Sequence, residues 1–215
     1  MAKKKLKKGI FITFEGPEGC GKSTHAKRIC SFLKKKGYDV LFTREPGGTF
    51  VGEKIRDILL NPVHTVSPLT ELFLFEAARA QIIEEVILPA LKRKKIVICD
   101  RFNDSTVVYQ GYAGPISLKK VIQIDDFVTQ DARPDLTILL DVDERIGLKR
   151  AARNKPKDRM ESKSLTFHKK VRNGFKDLAR KNKKRIKLIR TRETIDQTQG
   201  LVKDEVLKAV GKITA

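Results

Sequence analysis

The chain has 215 residues, 40% of them hydrophobic, which is enough for one sizeable core and favours a single domain. Its 46 basic and 26 acidic residues give a net charge of +20. This charge favours polyanionic partners such as nucleotides, nucleic acid or an anionic membrane surface. Three cysteines without a C-x-x-C pair indicate neither a disulfide framework nor a zinc site, and no apolar run approaches the ~20 residues of a membrane span. We therefore expect a cytoplasmic protein without a membrane partner.

The first element after a basic tail at residues 1–8 is a predicted strand at residues 10–14. This apolar run ends at Gly16, where the pattern G-x-x-x-x-G-K-S begins, and an amphipathic helix follows at residues 24–36. Glycines in such a loop let backbone N–H groups converge on phosphate oxygens. The helix N-terminus adds a favourable dipole.

The loop is therefore predicted to bind the phosphates of ATP. Lys22 would reach the β- and γ-phosphates, and the Ser23 hydroxyl would bind a Mg²⁺ ion. The predicted ATP-binding residues are Gly16, Pro17, Glu18, Gly19, Cys20, Gly21, Lys22, Ser23 and Thr24.

Strands and helices alternate along the rest of the chain. Apolar runs predict further strands at residues 38–43, 96–99, 136–140 and 186–190. Apolar spacing predicts helices at residues 51–60, 69–94, 103–112, 118–130, 146–152, 165–181 and 195–210. Strands that are apolar on both faces predict an α/β fold, namely a doubly wound parallel five-stranded sheet of the P-loop NTPase type with helices on both faces. No linker divides residues 1–215 into two domains.

Charged residues follow the predicted strands at the sheet edge where ligands bind in this fold class. Asp100 is placed to hold Mg²⁺, and Arg44, Arg79 and Arg101 are expected near the same edge, where a guanidinium suits phosphate. A polar, proline-containing segment at about residues 151–163 is predicted to be a mobile lid. Its basic residues, which are expected to close over the triphosphate, are Arg153, Lys155, Lys157 and Arg159.

With these motifs in order, the chain resembles thymidylate kinases, which phosphorylate dTMP to dTDP with Mg-ATP. The resemblance covers roughly residues 10–210 and rests on FEGPEGCGKST, FTREPGGT, LFLFEAARAQ, CDRFNDSTVVYQG, RPDLTILLDV and DRME. It implies one nucleoside monophosphate kinase domain that serves dTTP synthesis, and a homodimer packed through helices. Some members of this family carry a further basic residue within the loop and others carry it in the lid. Here Gly19 follows Glu18 in the loop and the lid is basic, so the chain resembles the bacterial kind.

The resemblance also implies roles for individual residues. Phe75 would stack on thymine and Arg79 would donate to the O4 edge of the base, while Arg44 and Arg101 would hold the acceptor phosphate. Glu18 would contact the sugar 3′-hydroxyl or help place that phosphate. Tyr109 would exclude a 2′-hydroxyl, and the same pocket would be lined by Ser105, Thr106 and Gln110. The catalytic residues would be Lys22, Glu18, Arg101 and one of the lid arginines, Arg153 or Arg159.

Two other functions remain open from the sequence. One is a related kinase with another acceptor, such as dUMP or a deoxynucleoside. The other is an ATP-dependent nucleic-acid-binding protein, which the charge of +20 suggests. The chain lacks a basic surface interleaved with aromatic residues and any nucleic-acid motif, so we expect no nucleic-acid partner.

Overall fold

A computed structural model describes residues 4–130, 132–153, 156 and 158–214. The described residues form a five-stranded sheet in the order β2-β3-β1-β4-β5, and every neighbouring pair is parallel. The strands are β1 (Ile10–Glu15), β2 (Val40–Arg44), β3 (Ile96–Asp100), β4 (Leu136–Asp141) and β5 (Ile186–Arg190). The predicted α/β class, the strand count and the parallel arrangement are confirmed.

The helices connect successive strands. They are α1 (Lys22–Lys35), α2 (Phe50–Leu60), α3 (Pro68–Ile82), α4 (Leu88–Lys92), α5 (Asn103–Thr106), α6 (Leu118–Thr129), α7 (Glu144–Ala151), α8 (Leu165–Lys181) and α9 (Ile195–Gly211). Two π-helical segments interrupt this regularity, Ile83–Ile87 between α3 and α4 and Val107–Tyr112 after α5. Such segments are frequent at functional sites, and the second one carries Tyr109 and Gln110.

Apolar side chains are buried on both faces of the sheet. On one face, Ile12 and Ile138 share a cluster with Ile29 of α1 and Val206 of α9. On the other face, Phe11 and Val97 pack with Ile82 and Ile87, while Leu139 packs with Phe175 of α8. The expectation that every strand is apolar on both faces holds for β1, β3 and β4 only. The edge strands β2 and β5 end in exposed arginines, Arg44 and Arg190, because each has a neighbour on one side only.

The described part of the N-terminal segment is not a free tail. Leu6 is buried and forms an antiparallel bridge with Thr214, and the backbone N–H of Lys7 donates to the carbonyl of Ile213. The two terminal segments thus pair beside the cluster that contains α1 and α9. Among the described residues, no helix has both the length and the apolar character needed to cross a membrane.

Candidate active site

The phosphate loop lies where β1 ends in the middle of the sheet. Gly21 adopts the left-handed conformation (φ 94°) immediately before α1, a conformation that glycine reaches without strain. The Nζ of Lys22 donates to the carbonyls of Gly16 (2.9 Å) and Pro17 (2.8 Å) and is buried. The loop therefore holds its lysine folded over its own backbone, beside the N-terminus of α1.

A glycine outside the motif allows the loop to sit close to α7. A Cβ on Gly19 would come within 1.9 Å of the carbonyl oxygen of Gly147, and a Cβ on Gly147 would come within 2.2 Å of that of Glu18. Both contacts are with backbone atoms, which cannot rotate away. Gly147 thus permits the close approach of α7 to the loop, a role that the sequence pattern did not reveal.

A pair of oxygen donors lies beside the loop. The Ser23 hydroxyl donates to the Oδ2 of Asp100, which ends β3. Hydroxyl and carboxylate oxygens are the ligands that Mg²⁺ prefers, and it commonly takes one or two from the protein and the rest from water and phosphate. The donor set fits this pattern. No group of three or more His, Cys, Asp or Glu suited to a metal occurs in the described residues.

A cleft of about 680 Å³ opens next to the loop, between β2, α3 and the segment after β3. All eight predicted substrate residues line it, together with Glu18, Lys22, Ser23 and Asp100. These eight are Arg44, Phe75, Arg79, Arg101, Ser105, Thr106, Tyr109 and Gln110. The structure therefore brings the predicted phosphate-binding and acceptor-binding residues to one site.

Arg101 lines the cleft between the loop and Ser105. It is one of the non-glycine residues with a positive φ (69°), a strained conformation that places its side chain beside Glu18. Its guanidinium donates to the Gly16 carbonyl, the Ser105 hydroxyl and Glu18, at 3.2–3.3 Å. Burial opposes its charge, but facing Tyr109 and Glu18 raise the pKa of Arg101 above its usual range.

Arg79 lies at the base of the cleft among acidic side chains and is only 1% exposed. It donates to Glu45 at 2.7 Å and 3.0 Å and to Glu76 at 2.7 Å, and Asp125 lies 3.3 Å away. Burial raises the pKa of Glu45 to about 7 and that of Asp125 to about 6, although Arg79 opposes both shifts. A fifth hydrogen bond, to the Thr106 hydroxyl (2.9 Å), helps fix the guanidinium plane.

Glu18 is the acidic residue of the loop and is buried. Its Oε1 accepts hydrogen bonds from the Tyr109 hydroxyl (2.5 Å) and from Arg101 (3.3 Å). Burial alone would raise its pKa, but His168, Arg101, Lys22 and Tyr109 together lower it to about 2. Glu18 is therefore a carboxylate at neutral pH, ready to accept hydrogen bonds.

The remaining predicted residues have partners of their own. Arg44 is half exposed and pairs with Glu53 (3.1 Å), and Gln110 donates to Glu71 (2.8 Å). The Ser105 hydroxyl donates to Glu15 at 2.6 Å. Phe75 is half-buried and presents its ring to the cleft rather than to the core.

Neither of the predicted lid arginines lines the cleft. Arg153 is exposed and does not line the cleft. Arg159 pairs with Glu71 and donates to the carbonyl of Leu59 (2.7 Å), beside a separate cavity of about 240 Å³. Lys155 and Lys157 lie outside the described residues.

Glu15 and His168 are among the buried titratable residues near the site that the sequence analysis did not predict. Glu15 ends β1, accepts from the backbone N–H of Phe102 (2.7 Å), and has its pKa raised to about 8 by burial and by Asp104. His168 in α8 faces Glu18 from the other side of the loop. An acid at the end of an apolar run was the available signal for Glu15. No local signal marked His168.

Comparison with known proteins identifies the family. The model of the family described as "Thymidylate kinase" matches residues 14–202. The chain belongs to the thymidylate kinase family. A thymidylate kinase of Geobacillus sp. (strain WCH70) is 46% identical over 193 residues, which cover 88% of this chain and 92% of the relative. One of Kosmotoga olearia is 43% identical over 204 residues and covers 95% and 98%.

A solved structure supports the same conclusion. The crystal structure of thymidylate kinase from Ehrlichia chaffeensis has a TM-score of 0.75 and 35% sequence identity, and the match covers 94% of this chain and 99% of that one. The family resemblance inferred from the motifs is thus confirmed, and this member of the family is an enzyme of the kinase class with a nucleotide-binding P-loop fold.

Proposed function

We propose that this chain transfers the γ-phosphoryl group of ATP to dTMP and thereby supplies the synthesis of dTTP. The observation that carries the proposal is the shared cleft, in which the phosphate loop faces Phe75, Arg79 and Tyr109. This arrangement supports in-line transfer between two nucleotides, a reaction that depends on positioning and charge neutralisation more than on covalent chemistry.

The donor side is built by the loop. Lys22 would leave the carbonyls of Gly16 and Pro17 for the β- and γ-phosphates, and the N-terminus of α1 would add its dipole. Ser23 and Asp100 would hold Mg²⁺, whose charge neutralises the phosphate oxygens. Arg101 donates to the Gly16 carbonyl and pairs with Glu18, both in the loop. Together with Arg44 it would neutralise charge on the acceptor phosphate.

The acceptor side is built by three helical segments. The Phe75 ring would stack on thymine, an interaction worth ~1–3 kcal/mol for bases on aromatic rings. Arg79 is held by Glu45, Glu76 and Asp125, so its guanidinium is fixed before substrate binds. As a donor it would favour the O4 of thymine over the amino group of cytosine. Tyr109, held by Glu18, would fill the space of a 2′-hydroxyl, with Ser105, Thr106 and Gln110 beside it.

The lid would add a positive charge during transfer. Arg153 and Arg159 are both candidates for stabilising charge on the transferred phosphoryl group. Either one has to move, because Arg153 is exposed and Arg159 is bound to Glu71. Closing of a segment over the substrates is a common step in phosphoryl transfer.

The test is ADP release with Mg-ATP and dTMP, dUMP, dCMP, AMP or thymidine. We expect strong turnover with dTMP alone. Turnover that is faster with dUMP or thymidine would favour the related kinase with another acceptor and refute the assigned base contacts. Retention of nucleic acid that weakens steeply with salt, without turnover of any acceptor, would instead support a nucleic-acid-binding protein.

We also infer that two copies pack through helices. Exposed apolar residues form one stripe on α3, namely Leu69, Phe73, Ala77 and Ala80, and Ile122 and Phe127 are exposed on the neighbouring α6. Large exposed apolar side chains on two neighbouring helices are typical of a protein interface. Phe73→Glu should convert a dimer to a monomer in light scattering, whereas Phe50→Glu, on an exposed position of α2, serves as the control.

The chain's three cysteines are all free and buried, which supports a reducing cytoplasm as its location. No disulfide is therefore needed for folding. Equal stability with and without a reducing agent would agree with this assignment.

A further inference from the structure

One oxygen of the Glu18 carboxylate is held and the other is not. Oε1 accepts from the Tyr109 hydroxyl and from Arg101. Oε2 is buried and has no aligned hydrogen-bond partner among the described residues. His168 and three other neighbours hold the pKa of Glu18 at about 2, so the carboxylate is charged. A buried carboxylate oxygen without an aligned donor is costly.

His168 faces that oxygen. It lies in the first turn of α8, is 1% exposed, and its Nδ1 is 3.3 Å from the Oε2 of Glu18. Neither ring nitrogen has an aligned partner within the described part of the chain. The ring of Phe167 meets the imidazole edge-on at 5.6 Å between centroids, which limits how far the ring can turn.

We propose that His168 is a positioning residue for Glu18. Its Nδ1–H donates to Oε2, while Tyr109 and Arg101 hold Oε1, so the carboxylate keeps one orientation when it meets the acceptor nucleotide. The 3.3 Å between Nδ1 and Oε2 is already close to hydrogen-bond length, so the bond needs an improved angle and not a shorter distance. The inference rests on the proposed function, in which Glu18 contacts the sugar or places the acceptor phosphate.

This contact also joins two parts of the site. Glu18 belongs to the loop after β1, and His168 lies in the first turn of α8, the helix that follows the lid segment. The backbone N–H of His168 donates to the carbonyl of Ser164, so the residue that carries the imidazole belongs to the first turn of that helix. A shift of α8 would therefore move the donor away from Oε2.

The first experiment measures kcat and KM, for dTMP and for ATP, in two variants of His168. His168→Phe fills the space without a donor and should lower kcat/KM for dTMP roughly tenfold, the size expected for one bond to a charged group, with the KM for ATP nearly unchanged. His168→Gln restores a side-chain donor and should recover most of the loss. Equal rates for His168→Phe and the wild-type chain, equal losses in both variants, or a change in the ATP KM alone would overturn the proposal.

The second experiment does not depend on turnover or on the stability of the Phe variant. The chain has 3 histidines, so ¹⁵N-histidine NMR resolves each ring. We expect Nδ1 of His168 to carry a proton and its resonance to shift in Glu18→Gln, while exposed His64 stays unchanged. A bare Nδ1, or no response to Glu18→Gln, would refute the contact. Absence of dTMP turnover by the wild-type chain would instead refute the proposed function. The NMR experiment would still show whether His168 contacts Glu18.

Discussion

Glu15 should make the folded state less stable as pH rises. Its carboxyl is buried at the end of β1, and burial and Asp104 raise its pKa from 4.5 to about 8 against the opposing bonds from Ser105 and Phe102. The unfolded chain releases this proton near pH 4.5, but the folded chain keeps it until about pH 8. The unfolded state is therefore favoured increasingly between these values.

The size of the effect follows from the two pKa values. They differ by about 3.5, which at ~1.36 kcal/mol for each pKa unit sets a ceiling of about 5 kcal/mol. Local relaxation and water entry reduce it. We expect the wild-type chain to lose ~2–4 kcal/mol more than Glu15→Gln between pH 5 and pH 8. Glutamine keeps an acceptor for the Phe102 N–H and a group that can bond to Ser105.

Urea unfolding followed by circular dichroism at constant ionic strength measures this difference. Glu53→Gln is the matched control, because the backbone N–H of Gly48 and nearby Arg44 lower the pKa of Glu53, so that it is ionised in both states above pH 5. Its free energy of unfolding should follow that of the wild-type chain across the range. Parallel curves for Glu15→Gln and the wild-type chain would show that Glu15 is ionised when folded and that our reasoning on burial is wrong.

Three substitutions test the cleft. Lys22→Ala should lower kcat at least ~10²-fold because the phosphates lose their main cation, and near-normal turnover would refute the phosphate-loop assignment. Tyr109→Phe should change the preference for deoxyribose over ribose less than about threefold, because the bulk of the ring remains. It should nevertheless lower kcat, because Glu18 loses a hydrogen-bond donor. A large change in the sugar preference would mean that the hydroxyl, and not the ring, excludes ribose. Arg79→Ala should cost ~3–5 kcal/mol in urea unfolding, because it leaves three carboxylates buried without their cation. At a temperature where this variant is folded, its kcat/KM for dTMP should fall far more than its affinity for ATP, and a change confined to ATP would contradict the assignment.

Much of the fold follows from local patterns in the sequence. Each buried strand is a short apolar run, and the helix at Leu165–Lys181 and the strand at Ile186–Arg190 have the predicted bounds. Other ends differ by a few residues, because helix ends depend on capping contacts. The π-helical segment Val107–Tyr112 was not predicted, since its widened turn depends on packing against other elements.

Site residues could be predicted from the sequence only where they belong to a recognisable motif. The sequence placed Arg79 at the cleft, with Glu76 one turn before it in the same helix. Glu45, which follows β2, and Asp125, in α6, meet Arg79 only in the fold. The same holds for His168, which is distant from Glu18 along the chain. A shifted pKa, such as that of Glu15, arises from burial and neighbours and therefore has no local signature.

The position of β1 has a consequence for the chain during its synthesis. β1 is the first strand made and lies in the middle of the sheet, where Ile10 pairs with Ile96 and Ile12 with Leu136. All six of its residues are buried in the folded protein. At about 5–20 residues per second, its second neighbour emerges from the ribosome ~6–25 s after it. Until β3 emerges this apolar segment has neither of its partner strands, and until β4 emerges it lacks one of them, which makes it a natural binding site for a chaperone.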